Sequence, residues 1–149
     1  YWFPKMFGKM MSDTLGKIHF WGTIIPFNFI FIPLFVLGLG GQHRRIYNYQ
    51  NFSELAEMQP FRVFATVALI VMLVFQLVFF WNFFRSLRKG ERAGKNPWQA
   101  NTLEWTTESP PPHGNWPVDE LPKVYRGPYE YAHPDREEDY WPQNLPGGE

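Results

Sequence analysis

Cysteine is absent from the chain, which excludes disulfides and thiolate metal sites and leaves the compartment undetermined. Fixed charge is missing from two long stretches, Ile18 to Leu39 and Val63 to Phe84. The opening "YWFPKMFGKMM" has no initiator Met and lacks the ordered charged, apolar and small-residue regions of a signal peptide, so it reads as the cut end of a longer chain. There is no Gly-rich phosphate loop, no nucleophile elbow and no intramembrane acid pair, which removes the common hydrolase and nucleotide-binding signatures. The four histidines, His19, His43, His113 and His133, fall at no metal-ligand spacing.

What is present is aromatic and apolar. Phe, Trp and Tyr make up 19% of the chain, well beyond a soluble background led by Leu, Ala and Gly. A mean hydropathy of -0.32 averages two very apolar segments against a polar tail. Zero net charge hides a division near Pro97: eleven Lys and Arg against four Asp and Glu precede it, and three against ten follow from it onward. A basic, membrane-like front is joined to an acidic back, and no nucleic-acid partner is expected.

Each uncharged stretch has about 22 residues, which at 1.5 Å per residue cover roughly 33 Å, enough to cross a bilayer core. "VFATVALIVMLVFQLVFFWNFF" contains neither Pro nor Gly. "IHFWGTIIPFNFIFIPLFVLGL" carries Pro26 and Pro33, seven residues apart and nearly on one face. Prolines there free backbone carbonyls at two levels, and in lipid those groups need protein partners, so this helix is expected inside a larger bundle. Asn28 and Gln76, the deepest polar residues by this reading, could bond to each other or to a third helix, as buried amides that glue membrane helices do.

Lys and Arg set the orientation. Lys5, Lys9 and Lys17 precede the first span, Arg85, Arg88, Lys89, Arg92 and Lys95 follow the second, and the loop sets Arg44, Arg45 and Arg62 against Glu54 and Glu57, so both ends are expected in the cytoplasm and the connecting loop outside. Trp21 and Trp81 then lie near one interface. Arg44 and Arg45, in "GLGGQHRRIYNY", end up on the side where positive charge is disfavoured as a topology signal. "GLGG" reads as a helix ending. The Arg pair, with Tyr47 and Tyr49 just beyond, suits a buried carboxylate or the acidic groups of an amphipathic cofactor, because a guanidinium stays charged and forks onto a carboxylate. On residues alone, contact with lipid phosphate or a surface ion pair is at least as good a reading. The tail from Lys95, rich in Pro and acids but studded with Trp and Tyr, is expected as an extended strap over the inner face.

In order along the chain, "YWFPKMFG", "LGKIHFW", "FNFIFIPLFVLGL", "RR", the second span and "NPWQANTLEWTTESPPP" resemble the carboxy-terminal part of subunit I of the heme-copper respiratory oxidases. The resemblance covers nearly the whole chain and weakens after about Leu121. It implies an all-α integral membrane fold: the end of one helix and two complete transmembrane helices from a twelve-helix bundle, with an extended C-terminal tail. Residues 1–16 become the end of the preceding helix and a cytoplasmic loop, 17–41 the eleventh helix, 42–60 the outer loop, 61–85 the twelfth helix, and 86–149 the cytoplasmic tail.

The resemblance further implies a bacterial inner-membrane, proton-pumping enzyme that reduces dioxygen to water. Its cofactors would be two hemes, read as heme A, and copper B, whose ligands lie in helices upstream of Tyr1. It would work with the remainder of subunit I, subunits II and III, membrane lipid, and cytochrome c as donor. By position, Arg44 and Arg45 take the role of the family's Arg pair, which contacts the heme propionates. Gln42 and His43 stand where the family commonly has Met-Pro, and Phe35 where it often has His. Two alternatives stay open: a quinol-oxidising subunit I, and a non-enzymatic two-span membrane scaffold.

Overall fold

The computed structural model describes residues 1–130, 132, 137 and 141–146. It is helical, with no strand among the described residues beyond one isolated antiparallel bridge, Lys9 to Arg92. The helices are α1 (Phe3–Phe7), α2 (Asp13–Leu39), α3 (Ser53–Ala56) and α4 (Gln59–Lys89), and single 3-10 turns lie at Tyr49–Asn51, Leu103–Trp105 and Val118–Glu120. The chain divides into two compact units, Ser12–Phe84, and Tyr1–Met11 together with Arg85–Glu149.

The unit Ser12–Phe84 is an antiparallel helical hairpin. Both α2 and α4 are long and apolar enough to cross a membrane. α2 begins ahead of the apolar run because Ser12 caps it, its hydroxyl accepting from the Leu15 N–H, with Asp13 in the first turn complementing the helix dipole. It passes through Pro26 and Pro33 and stops in a Schellman arrangement. Gly41, at φ 90°, permits the left-handed turn, the Gln42 N–H bonds the Leu37 carbonyl at 3.0 Å, and the Gly41 N–H bonds that of Gly38 at 3.1 Å. The predicted helix ending at "GLGG" is therefore made by hydrogen bonds as well as by composition.

One stripe of α2 is buried: Gly22, Pro26, Ile30, Pro33 and Leu37, spaced by four and three residues. The small Ala65 and Ala68 are buried on α4. At Gly22 the helices approach so closely that a Cβ would run into the Phe75 ring. Phe29 meets Phe64 edge to face at 5.7 Å nearer the loop, and His19 lies over Phe79 at 5.3 Å nearer the other end. Prolines on the buried stripe follow a physical logic: the side that has lost backbone hydrogen bonds is turned toward protein.

Gln76 does join the two helices, through a partner other than the one proposed above. Its side-chain N–H donates to Thr23 Oγ1 at 3.0 Å, and its Oε1 lies 3.1 Å from His19 Nε2. Asn28 instead donates to the Ile24 carbonyl of its own helix at 2.8 Å. Equal depth in the membrane is not enough for two amides to meet; they must also share the seam, and Asn28 is exposed while Gln76 is half-buried. A second amide link closes the open end of the hairpin. Asn82, 2% exposed, accepts from the Ser12 N–H at 3.1 Å and donates to the Ser12 carbonyl at 3.0 Å.

In the other unit the tail folds onto the first eleven residues. Trp105, 1% exposed, stacks on Trp2 at 5.6 Å and takes the edge of Tyr1 at 5.1 Å. Lys5, 6% exposed, sends its ammonium to the carbonyls of Thr107 (2.7 Å), Lys95 (2.9 Å) and Glu108 (3.4 Å) and lies 5.1 Å from the Trp105 ring centre. Three acceptors match the three protons of an ammonium group. Burial lowers the Lys5 pKa from its ordinary value, opposed by the carboxylates of Glu108 and Glu104. Lys9 donates to the Leu87 carbonyl at 2.6 Å, satisfying a carbonyl in the last turn of α4. Further along, Gln143 ties the late tail to the early tail, its N–H bonding the Asn101 carbonyl at 3.2 Å and its side chain accepting from the Leu103 N–H at 3.2 Å.

Two predictions test these contacts in the intact subunit. Gly22→Val should force the helices apart and cost about 1–3 kcal/mol, as overpacking does, seen as a lower melting temperature in detergent; an unchanged melt would show that the close approach is dispensable. Lys5→Met leaves three carbonyls without their cation and should cost about 1–3 kcal/mol locally. The readout is faster chymotryptic cleavage around Trp98, Trp105 and Trp116, and resistance equal to that of the parent would refute the anchoring role.

Candidate functional site

The hairpin's loop carries the Arg pair. Once the Schellman turn ends α2, the chain runs through Gln42 and His43 into a turn at Arg44 and Arg45. Arg45 sits at φ 62°, a left-handed conformation that is uncommon for a non-glycine residue. Such a residue costs about 1–3 kcal/mol and persists where the surroundings fix it.

Both arginines are exposed, and among the described residues no ion pair involves either guanidinium. They line a groove of about 740 Å³ with His43 and Tyr49, and the apolar wall of the groove is the C-terminal end of α2, including Phe31, Ile32 and Phe35. That volume lies in the range of about 300–1,000 Å³ found for sites that take cofactor-sized ligands. A greasy wall with two permanent cations at its mouth suits an apolar body bearing anionic groups, carboxylate or phosphate. The sequence reading placed Arg44 and Arg45 next to Tyr47 and Tyr49; in the structure Tyr49 lines the groove, while Tyr47 is fully exposed.

Arg62, at the start of α4, was legible only as a loop charge and has a definite place. Its guanidinium donates to Gln42 Oε1 (2.9 Å), the Leu55 carbonyl (2.7 Å) and Gln59 Oε1 (3.1 Å), and it lies 4.3 Å from the centre of the Tyr49 ring. Sequence patterning gives no signal for this, because the partners come from four separate positions of the loop and helix ends. His19 is likewise placed by tertiary structure, against Gln76, and lies in α2 away from the loop. A spacing signal for it did exist: His19 and Thr23 are four residues apart and so share a helix face. His113 is exposed, and His133 lies outside the described residues. Among the described residues no group of His, Cys, Asp or Glu could hold a metal ion.

The family model for cytochrome c and quinol oxidase polypeptide I matches residues 1–71, which hold α1, α2 and the whole loop. The alternative cytochrome c oxidase subunit 1 of Bradyrhizobium diazoefficiens is 44% identical over 98% of this chain and 25% of its own length. The cytochrome c oxidase subunit 1 of Synechocystis sp. is 44% identical over 89% of this chain and 23% of its own. Subunit 1 of the cytochrome bo(3) ubiquinol oxidase of Buchnera aphidicola is 37% identical over 79% of this chain and 18% of its own. The chain thus spans about a quarter of the length of these two cytochrome c oxidase relatives. Two apolar helices of membrane-crossing length, the ordered motifs from "YWFPKMFG" to "SPPP" and these relatives converge: the chain belongs to the subunit I family of the heme-copper oxidases, multi-span helical membrane proteins whose full-length members hold heme and copper.

Proposed function

We propose that residues 1–149 form part of the catalytic subunit of a bacterial terminal oxidase that takes electrons from cytochrome c, reduces dioxygen to water and pumps protons. In this reading the chain's own contribution is to hold heme propionates through Arg44 and Arg45 and to pack two helices into the bundle. The metal ligands come from the rest of subunit I, and subunits II and III complete the enzyme. The single observation that carries the reading is the placement of two exposed guanidiniums at the mouth of an apolar groove, in a chain whose relatives are oxidase subunits.

The bound hemes and copper would supply electron transfer and dioxygen reduction. What the residues of this chain do is electrostatic. Arg44 and Arg45 favour the ionised form of any carboxylate brought between them, lowering its pKa by about 1–3 units as an adjacent Arg does. They also add positive charge beside a redox centre, which favours its reduced form. The wall of Phe31, Ile32 and Phe35 lowers the local dielectric, which strengthens both effects. His43 lines the same groove and offers ring nitrogens for a further hydrogen bond there.

Orientation and donor follow as parts of the same proposal. The Lys/Arg bias favours both ends of the hairpin in the cytoplasm, with the Arg pair at the outer side of the bacterial cell membrane. Cytochrome c is favoured over quinol as donor because the two relatives at 44% identity are named cytochrome c oxidases, against 37% for the ubiquinol oxidase.

In the intact oxidase, Arg44→Gln and Arg45→Gln should each lower a heme midpoint potential, because a positive charge is removed from beside the redox centre, and should reduce protons pumped per electron while heme content is retained. Lys should rescue poorly, since it cannot fork onto a carboxylate. Potentials and pumping equal to the parent in both variants would overturn the propionate assignment.

A further inference from the structure

We infer that Arg62 is a positioning residue that holds the Arg44–Arg45 turn in register over the groove by clamping the two ends of the loop that carries it. The inference rests on the propionate reading above and adds to it a residue from a different helix.

Gln42 and Tyr49 are the posts on either side of the segment His43–Asn48, which contains both arginines. Arg62 grips both posts. Its Nε donates to Gln42 Oε1 at 2.9 Å, and its Cζ lies over the Tyr49 ring, 4.3 Å from the centre. The remaining nitrogens are anchored, Nη2 to the Leu55 carbonyl at 2.7 Å and Nη1 to Gln59 Oε1 at 3.1 Å, so the group is held from the α4 side as well. Each of the three guanidinium nitrogens therefore donates to a partner within the protein, in contrast to Arg44 and Arg45, whose guanidiniums have no ion pair among the described residues. A rigid fork with five donors suits this role, because its three nitrogens aim at three separate acceptors, whereas an ammonium presents all its protons from one atom.

The loop needs such a clamp. Arg45 occupies a left-handed backbone conformation at φ 62°, which the chain abandons unless its neighbours over-determine it. On one side the Schellman bonds fix the chain only as far as the Gln42 N–H. On the other, the Asn48 side chain accepts from the Gln50 N–H at 2.9 Å and starts the turn at Tyr49–Asn51. Between those points, Arg62 is the contact that ties one side to the other. Tyr49, which it stacks on, also lines the groove, so a displaced clamp moves the wall of the site along with its charges.

Charge must be separated from position in the test, because removing Arg62 itself deletes a cation. In the intact oxidase two substitutions leave net charge unchanged: Arg62→Lys, which keeps the cation and loses the fork, and Gln42→Leu, which removes one tether. Both should lower the heme midpoint potential in the same direction as Arg45→Gln. Their effects should shrink in the Arg45→Gln background and vanish when Arg44→Gln and Arg45→Gln are combined, since a positioning residue acts through the residues it positions. Amide exchange over His43–Asn48 should speed up about tenfold, the loss expected for one hydrogen bond to a charged group.

Parent-like potentials in both charge-neutral variants, with a shift in Arg45→Gln, would overturn this inference alone. Fully additive shifts would overturn it too, by showing that Arg62 acts independently of Arg45. Parent-like potentials in Arg44→Gln and Arg45→Gln themselves would remove the propionate reading and this inference with it. If Arg62→Lys fails to assemble, Gln42→Leu alone decides, by the same readouts.

Discussion

Two apolar helices in hydrocarbon gain nothing from hiding their side chains from water, so the seam between α2 and α4 has to be held by close packing and by a few polar contacts. The hairpin meets that constraint with small residues where the backbones come nearest, Gly22 on α2 and Ala65 and Ala68 on α4. It adds two amide links, Gln76 to His19 and Thr23, and Asn82 to both backbone groups of Ser12. Each contact is modest, about 0.6 kcal/mol for an average side-chain hydrogen bond between membrane helices. Their effect lies in register. With the seam fixed, Gln42 beyond the end of α2 and Arg62 near the start of α4 arrive within hydrogen-bond reach, and the loop between them is given its shape.

The two spans could be read from the sequence because absence of charge over 22 residues is a local property, and the Arg pair because it breaks that pattern at one end. Contacts depending on helix rotation could not. Asn28 and Gln76 sit at similar depths, yet only Gln76 lies on the seam, and nothing local to either residue sets the angle at which the two helices meet. Asn82 escaped notice because it stands near the charged end of α4, where a polar residue looks ordinary. The charge count that ordered the topology also concealed individual roles. Lys5 counted as one unit of positive flank, but its ammonium is enclosed by three carbonyls and a Trp ring. Arg62 counted against the loop's acids, but its partners are neutral amides, a carbonyl and a Tyr ring.

The departures from the family's usual pattern and the clamp on the loop belong to one physical account. A proline in place of His43 would fix φ near -65° and reduce the conformations open to the segment before the arginines. His43 imposes no such restriction, so the chain must be restrained by tertiary contacts instead. Gln42, beside it, is the residue whose side chain accepts from Arg62. Rigidity that proline would supply through the backbone is here supplied across the seam by a guanidinium fork. That solution makes the geometry of Arg44 and Arg45 depend on the relative placement of α2 and α4, and it gives the packing at Gly22 and Gln76 a consequence some distance away, at the mouth of the groove.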